Sequence, residues 1–213
     1  MSLFISADLH AGDERMQILG RPFRDATHCI STIHDNWNEI VKPDDTVIVN
    51  GDVAVDEKWL IWLKIMNGHK ILVKGNYDKM PDEVYLKYFD AVYGDFLDMT
   101  LEGMDEKREK KELPVRIVHY PSKGIAEKLC LTGHVHATWR VQKNMINVGQ
   151  DANHFKPLSV DDIFFLFRAI KEFYDEDVWV GNHPANVAHN DRGKAGTYWQ
   201  TGFTGSRGAG DAK

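Results

Sequence analysis

The chain has only 2 cysteines in 213 residues, Cys29 and Cys130, and their spacing matches neither a zinc knuckle nor a thiol redox motif. Both read as buried packing residues, one on a helix and one in a strand. No apolar run approaches the roughly 20 residues needed to span a membrane. Met1-Ser2 leads straight into a strand, leaving no room for a signal peptide. The expectation is a cytoplasmic protein with no membrane partner. A basic surface is missing as well: 26 Lys+Arg against 32 Asp+Glu give a formal net charge of -6. That balance argues against general wrapping of nucleic acid, while a local basic rim and a nucleic-acid substrate stay open. Neither a Gly-x-Ser-x-Gly elbow nor a Walker sequence is present, so serine-nucleophile and P-loop chemistry both lack their supports.

What is present is a set of five short polar blocks, each directly after an apolar run. They are Asp8-Leu9-His10, Gly51-Asp52, Gly75-Asn76-Tyr77-Asp78, His119 and Gly133-His134-Val135-His136. The preceding runs, such as Val47-Ile48-Val49 and Ile71-Leu72-Val73, are short and aliphatic, as interior strands are. Each block therefore falls at the C-terminal end of a strand, the edge of an open α/β sheet where loops converge and ligands bind.

Asp25 can cap a helix to about Val41, with Ile30, Ile33, Trp37, Ile40 and Val41 on one face. Trp59, Leu60, Trp62, Leu63 and Met66 suggest a second helix, and Pro81 can begin a third that runs through Phe89. The alternation β-α-β-α-β predicts an α/β fold with a largely parallel sheet. Ala91 to Leu101 is strand-like, and the charged stretch Glu102 to Glu112 reads as a solvated hairpin connection. Ser159 and Asp162 can cap a closing helix through Lys171. The expected organisation is one domain over residues 1–185, followed by a Gly-rich C-terminal tail over 186–213 that is mobile or loosely wrapped.

Imidazole with carboxylate and amide oxygen, and no thiolate, suits manganese, iron, zinc, nickel or cobalt. Asp8 and His10 are two residues apart, as are His134 and His136, so in an extended segment each pair would project to one side. Asp52, behind a glycine that lets the backbone approach closely, is the natural bridge between two cations. Two cations a few ångströms apart can activate water and neutralise a phosphoryl group, which suits phosphoester hydrolysis.

In their order and spacing the blocks resemble the calcineurin-like metallophosphoesterase superfamily, over about Leu3 to Val148. The resemblance implies a sandwich of two β-sheets flanked by helices. It also implies two divalent metal ions, with manganese foremost: Asp8, His10 and His136 hold the first, Asn76, His119 and His134 the second, and Asp52 bridges. The implied activity is that of a dinuclear metal-dependent phosphoesterase acting on a phosphodiester or small phosphate ester through metal-activated water. Alternatives are a phosphomonoesterase or Ser/Thr protein phosphatase, and a non-catalytic scaffold that retains the fold. The family motif is usually Gly-Asn-His followed by Asp or Glu. Here Tyr77 stands where leaving-group protonation is commonly assigned to histidine, so Tyr77, another histidine or water takes that role. Asp52, Asn76, Tyr77 and Asp78 are thus the catalytic candidates, with Asp78 as a hydrogen-bond acceptor behind the ligands. Arg21, Arg24 and Arg140 are candidates for holding the substrate phosphate, each weighed against an ordinary surface cation.

Overall fold

The structure, a computed structural model, describes residues 1–105, 107 and 109–173, with side chains through 170. The boundary expected near residue 186 and the Gly-rich tail lie outside the described residues. Residues 1–167 form one compact unit.

Strands β1 (Leu3–Ser6), β2 (Thr46–Asn50), β3 (His69–Val73) and β4 (Ala91–Tyr93) run parallel in one sheet. A second sheet holds β5 (Phe96–Met104), β6 (Lys110–Val118), β7 (Leu129–Thr132), β8 (Val141–Gln142) and β9 (Met145–Asn147). Its order is β5-β6-β7-β9-β8, and β10 (Leu158–Ser159) returns antiparallel to β1 at the edge of the first sheet. The expected largely parallel sheet is present as β1 to β4, but within two mixed sheets, each with antiparallel strands at one or both edges. The stretch read as one strand over Ala91 to Leu101 breaks at Gly94-Asp95 and supplies a strand to each sheet.

Short helices cover the first sheet. Helices α1 (Met16–Leu19) and α2 (Ala26–Ile40) precede β2, and α3 (Asp82–Tyr85) precedes β4. Asp25 caps α2 as expected, its Oδ1 accepting the His28 N–H at 2.7 Å. Ile30, Ile33 and Trp37 from its inner face are fully buried with Val47, Val49 and Leu72, each such side chain contributing roughly 2 kcal/mol of burial. The segment expected to be a second helix is a 3₁₀ helix, Glu57–Lys64. The third helix is shorter than expected, and the chain reaches Phe89 through turn hydrogen bonds such as Phe89 N–H to Tyr85 O. Glu102 to Glu112 is mostly strand: β5 and β6 pair from Phe96↔Val118 to Met104↔Lys110, keeping their charged side chains in solvent. The closing helix α4 (Val160–Phe173) has the expected capping box, with Ser159 and Asp162 exchanging side-chain-to-backbone hydrogen bonds. Among the described residues no helix is long and apolar enough to cross a membrane.

The two sheets are tied where the polar blocks emerge. The buried Asn50 Nδ2 donates to Val118 O and Leu131 O, both at 3.1 Å, linking β2 to β6 and β7. Gln150 completes the seam, with its N–H on Ala7 O and its Nε2 on Ser6 Oγ.

Candidate metal centre

All five polar blocks meet at this seam. Asp8, His10 and His136 bring one donor atom each to within 4.8 Å of one another, and Asp52, His119 and His134 form a second such group. The groups touch through Asp52, whose Oδ2 lies 3.6 Å from His10 Nε2 and 3.2 Å from His119 Nε2. Asn76 Oδ1 sits 3.1 Å from His119 Nε2 and 3.0 Å from His134 Nδ1, so it faces the second group.

The backbone that delivers these side chains is not extended. Asp8, His10, Asp52, His134 and His136 all have positive φ, between 47° and 71°. The spacing of two residues therefore works through left-handed turns rather than through strand alternation, which corrects the expected geometry. Gly51 has φ of 84°, and a Cβ there would stand 2.6 Å from the Gly75 backbone and from His119 Nδ1. Only glycine lets those two loops approach so closely.

Three of the four histidines, His10, His119 and His136, have a partner behind the ring. His119 Nδ1 is 2.8 Å from Asn50 O, and His136 Nδ1 is 2.8 Å from Asp151 Oδ2, leaving the Nε2 of each for a ligand. His10 Nδ1 lies 3.5 Å from Asp13, and its Nε2 is buried with no hydrogen-bond partner. A buried, unsatisfied imidazole nitrogen beside two carboxylates is costly unless something else takes its lone pair, and a divalent cation fits that need. Together with the oxygen and nitrogen donor set, this makes the residues suited to metal.

Protonation follows the same layout. Burial lifts Asp8 to about 6, against the pull of His119 and His136. Burial and the Arg21 charge lower His10 to about 4, so its imidazole is neutral, the form a metal requires. Burial would also lower His119, but its hydrogen bond to Asp52 and the Asp8 charge raise it to about 9. Burial would raise Asp52, yet His119 holds it below the usual carboxylate range.

Asp78 is buried behind the cluster. Its carboxylate accepts the N–H groups of Asp52, Val53 and Gly75 at 2.7–3.0 Å, so it shapes two ligand loops. Tyr77 is 39% exposed, its N–H donates to Asp52 Oδ1, and its hydroxyl accepts from Arg15 at 2.8 Å. Arg15 is held in turn by the Asp13 carboxylate.

Arg21, expected at the substrate phosphate, is buried in the structure. Its buried guanidinium spends its N–H groups on Asp151, Leu9 O, Asp8 O and Cys29 Sγ. It is a brace for the first ligand loop. Arg24 and Arg140 are exposed, and Arg140 Nε reaches Asn153 Oδ1 at 3.2 Å. Sequence reading missed Asp13, Arg15, Asn50 and Asp151. Only Asp151 carried a signal, as an acidic residue just after the last predicted strand.

No family model matches the chain. An uncharacterized protein of Methanocaldococcus jannaschii is 23% identical over 178 residues, 78% of this chain and 91% of that protein. The crystal structure of a protein of unknown function from Aquifex aeolicus aligns at a TM-score of 0.57 with 24% identity, covering 78% of this chain and 98% of that one, a likeness of fold. A novel archaeal phosphodiesterase aligns at a TM-score of 0.40 with 18% identity, over 70% of this chain and 82% of that one. The chain is thus an α/β protein of two mixed sheets with two largely buried Asp/His clusters that could bind metal ions.

Proposed function

We propose that this chain is a dinuclear metal-dependent phosphoesterase of the calcineurin-like type, acting on phosphodiesters in preference to monoesters. One observation carries the reading: the Asp52 carboxylate, 3.2 Å from His119 in its own group, reaches to 3.6 Å from His10 in the other. Asp8, His10 and His136 would hold one cation, Asn76, His119 and His134 the other, with Asp52 shared and manganese the first candidate. Such a pair supplies an activated water and offsets negative charge on the phosphoryl oxygens.

The remaining roles belong to this chain's own groups. Tyr77 Oη accepts from Arg15, which leaves its own proton to donate outward, toward a departing oxygen. A phenol is a poor general acid in neutral water, which favours substrates with good leaving groups. Arg24 and Arg140 remain the candidates for the substrate phosphate, and their exposure leaves both guanidinium forks accessible.

The test is metal analysis of the loaded protein together with turnover of an activated diester. Asp52→Asn should weaken both cations and cut turnover by about 100-fold or more. Absence of bound metal, or unchanged turnover in that variant, would refute the proposal. Metal binding without turnover of any phosphoester would leave the scaffold reading, and activity confined to phosphomonoesters or phosphopeptides would move the assignment to a monoesterase.

A further inference from the structure

The loops that carry Asn76 and His119 also enclose a cavity of about 210 Å³, lined by Lys74, Gly75, Asn76, Lys79, Asp95, His119, Tyr120 and Lys123. Two of these, Asn76 and His119, belong to the second metal-binding group, so the cavity opens directly onto the proposed reaction centre. Its charge runs against that of the whole chain. The protein carries a net charge of -6, yet three lysines and one carboxylate line this space. Lys74 pairs with Asp82 at 2.8 Å and Lys123 with Asp95 at 3.0 Å, both through well-exposed carboxylates. Lys79 is exposed and has no ion-pair partner among the described residues. Tyr120 forms a wall, its ring 4.3 Å from that of His134 and 5.7 Å from Lys123 Nζ.

Resting on the phosphoesterase reading, we propose that this lysine-lined cavity binds a second phosphate of the substrate, next to the phosphate being cleaved. Three considerations lead there. The two cations need only one phosphoryl group, so the lysines beyond Asn76 are not needed for the phosphate that reacts. Ammonium groups act as mobile point charges that close on phosphate oxygens. Exposed ion pairs such as Lys123–Asp95 are worth about 1 kcal/mol or less, so they exchange readily for an anion that enters. The substrate class is therefore a phosphodiester bearing a further phosphate on the same molecule, as in an oligonucleotide end or a nucleoside bisphosphate ester, rather than a singly charged diester.

A matched pair of substrates tests this on the manganese-loaded full chain: the p-nitrophenyl ester of thymidine 5′-phosphate, and the same ester with a 3′-phosphate. The extra phosphate should raise kcat/KM about tenfold, chiefly through KM. That gain should shrink as salt is added, because Lys79 and Lys123 are solvent-exposed. Lys79→Gln with Lys123→Gln should remove the gain, and Lys79→Arg with Lys123→Arg should keep it. Equal kcat/KM for the two esters in the parent protein, or a gain that survives the double glutamine change, overturns the inference. If neither ester is cleaved, the phosphoesterase reading fails first, and calorimetric binding decides the cavity separately. Thymidine 3′,5′-bisphosphate should then bind more tightly than thymidine 5′-phosphate in the parent protein and equally in the glutamine variant. Equal binding in the parent overturns the inference.

Discussion

Replacing Asp151 by asparagine probes the brace behind the first candidate metal-binding group. The Asp151 carboxylate takes two N–H groups of Arg21, at 2.8 and 2.9 Å, and faces His136 Nδ1 at 2.8 Å. The Arg21 side chain is wholly buried and that of Asp151 is 4% exposed. Asparagine keeps one acceptor but leaves a buried guanidinium without its counter-charge, a loss of about 3 kcal/mol. Proton linkage gives a second route to the size of the effect. Burial would raise Asp151, but its bonds to His136 and Arg21 hold it at about 2. Against an unfolded carboxyl near 3.9, a depression of roughly two units corresponds to about 2–3 kcal/mol. The sign is that of a depressed acid: the stabilisation is full above the unfolded value and is lost as pH falls through the folded one. In urea, with a slope of about 2 kcal/mol per molar, metal-free Asp151→Asn at pH 7 should unfold about 1.5 M earlier. It should also bind metal roughly tenfold or more weakly, because His136 is no longer held in one tautomer. A urea midpoint within 0.3 M, roughly the resolution expected of such a melt, would refute the account of the brace.

Metal binding should depend on pH, since cations compete with protons at His119, held at about 9, and Asp8, lifted to about 6. The rise in melting temperature on adding manganese should therefore grow from pH 6 to pH 9, and a flat profile would count against these ligands. Asn50→Leu removes the donor to Val118 O and Leu131 O and should cost about 2–4 kcal/mol in denaturant unfolding, whereas a loss under about 1 kcal/mol would mean the seam relaxes around it. Tyr77→Phe should leave activated diesters nearly untouched while Tyr77→His raises alkyl monoester turnover relative to diesters, measured at matched metal loading. Efficient hydrolysis of alkyl monoesters by the parent protein, with none of diesters, would defeat that last expectation.

Legibility in the sequence followed interaction range. The α2 cap could be read because Asp25 binds a backbone group three residues ahead, and the ligand blocks because each follows an aliphatic run. The two-sheet division was not in the local pattern, since Ala91 to Leu101 is apolar enough for one strand and only pairing partners separate β4 from β5. Arg21 misled for a related reason. An arginine in a polar loop looks like a surface cation, and its buried role depends on Asp151, 130 positions away. Asn50 was equally silent, ending a strand like any polar residue, because its partners lie 68 and 81 positions along.

Backbone geometry explains why the candidate ligands cannot be treated as interchangeable side chains on a scaffold. Five of them occupy the left-handed region, where a non-glycine residue costs of order 1–3 kcal/mol when strained. Asp and His tolerate it better than branched residues, which fits their use here. The turns are held by backbone bonds between the ends of β1 and β2, Asp8 N–H to Gly51 O and His10 N–H to Asp52 O, and across the seam by the Asp8 carboxylate, which accepts the His134 N–H. Asp8 thus serves as a candidate ligand and as the anchor of another ligand's loop, so its removal would disturb the cluster even if it never touched a cation. Asp52 differs. Among the described residues its carboxylate takes a single backbone N–H, that of Tyr77 on Oδ1, an acceptor that asparagine can reproduce while losing the charge. Asp52→Asn therefore tests the charge of this carboxylate while keeping its backbone acceptor, unlike a change at Asp8, whose carboxylate anchors the His134 loop.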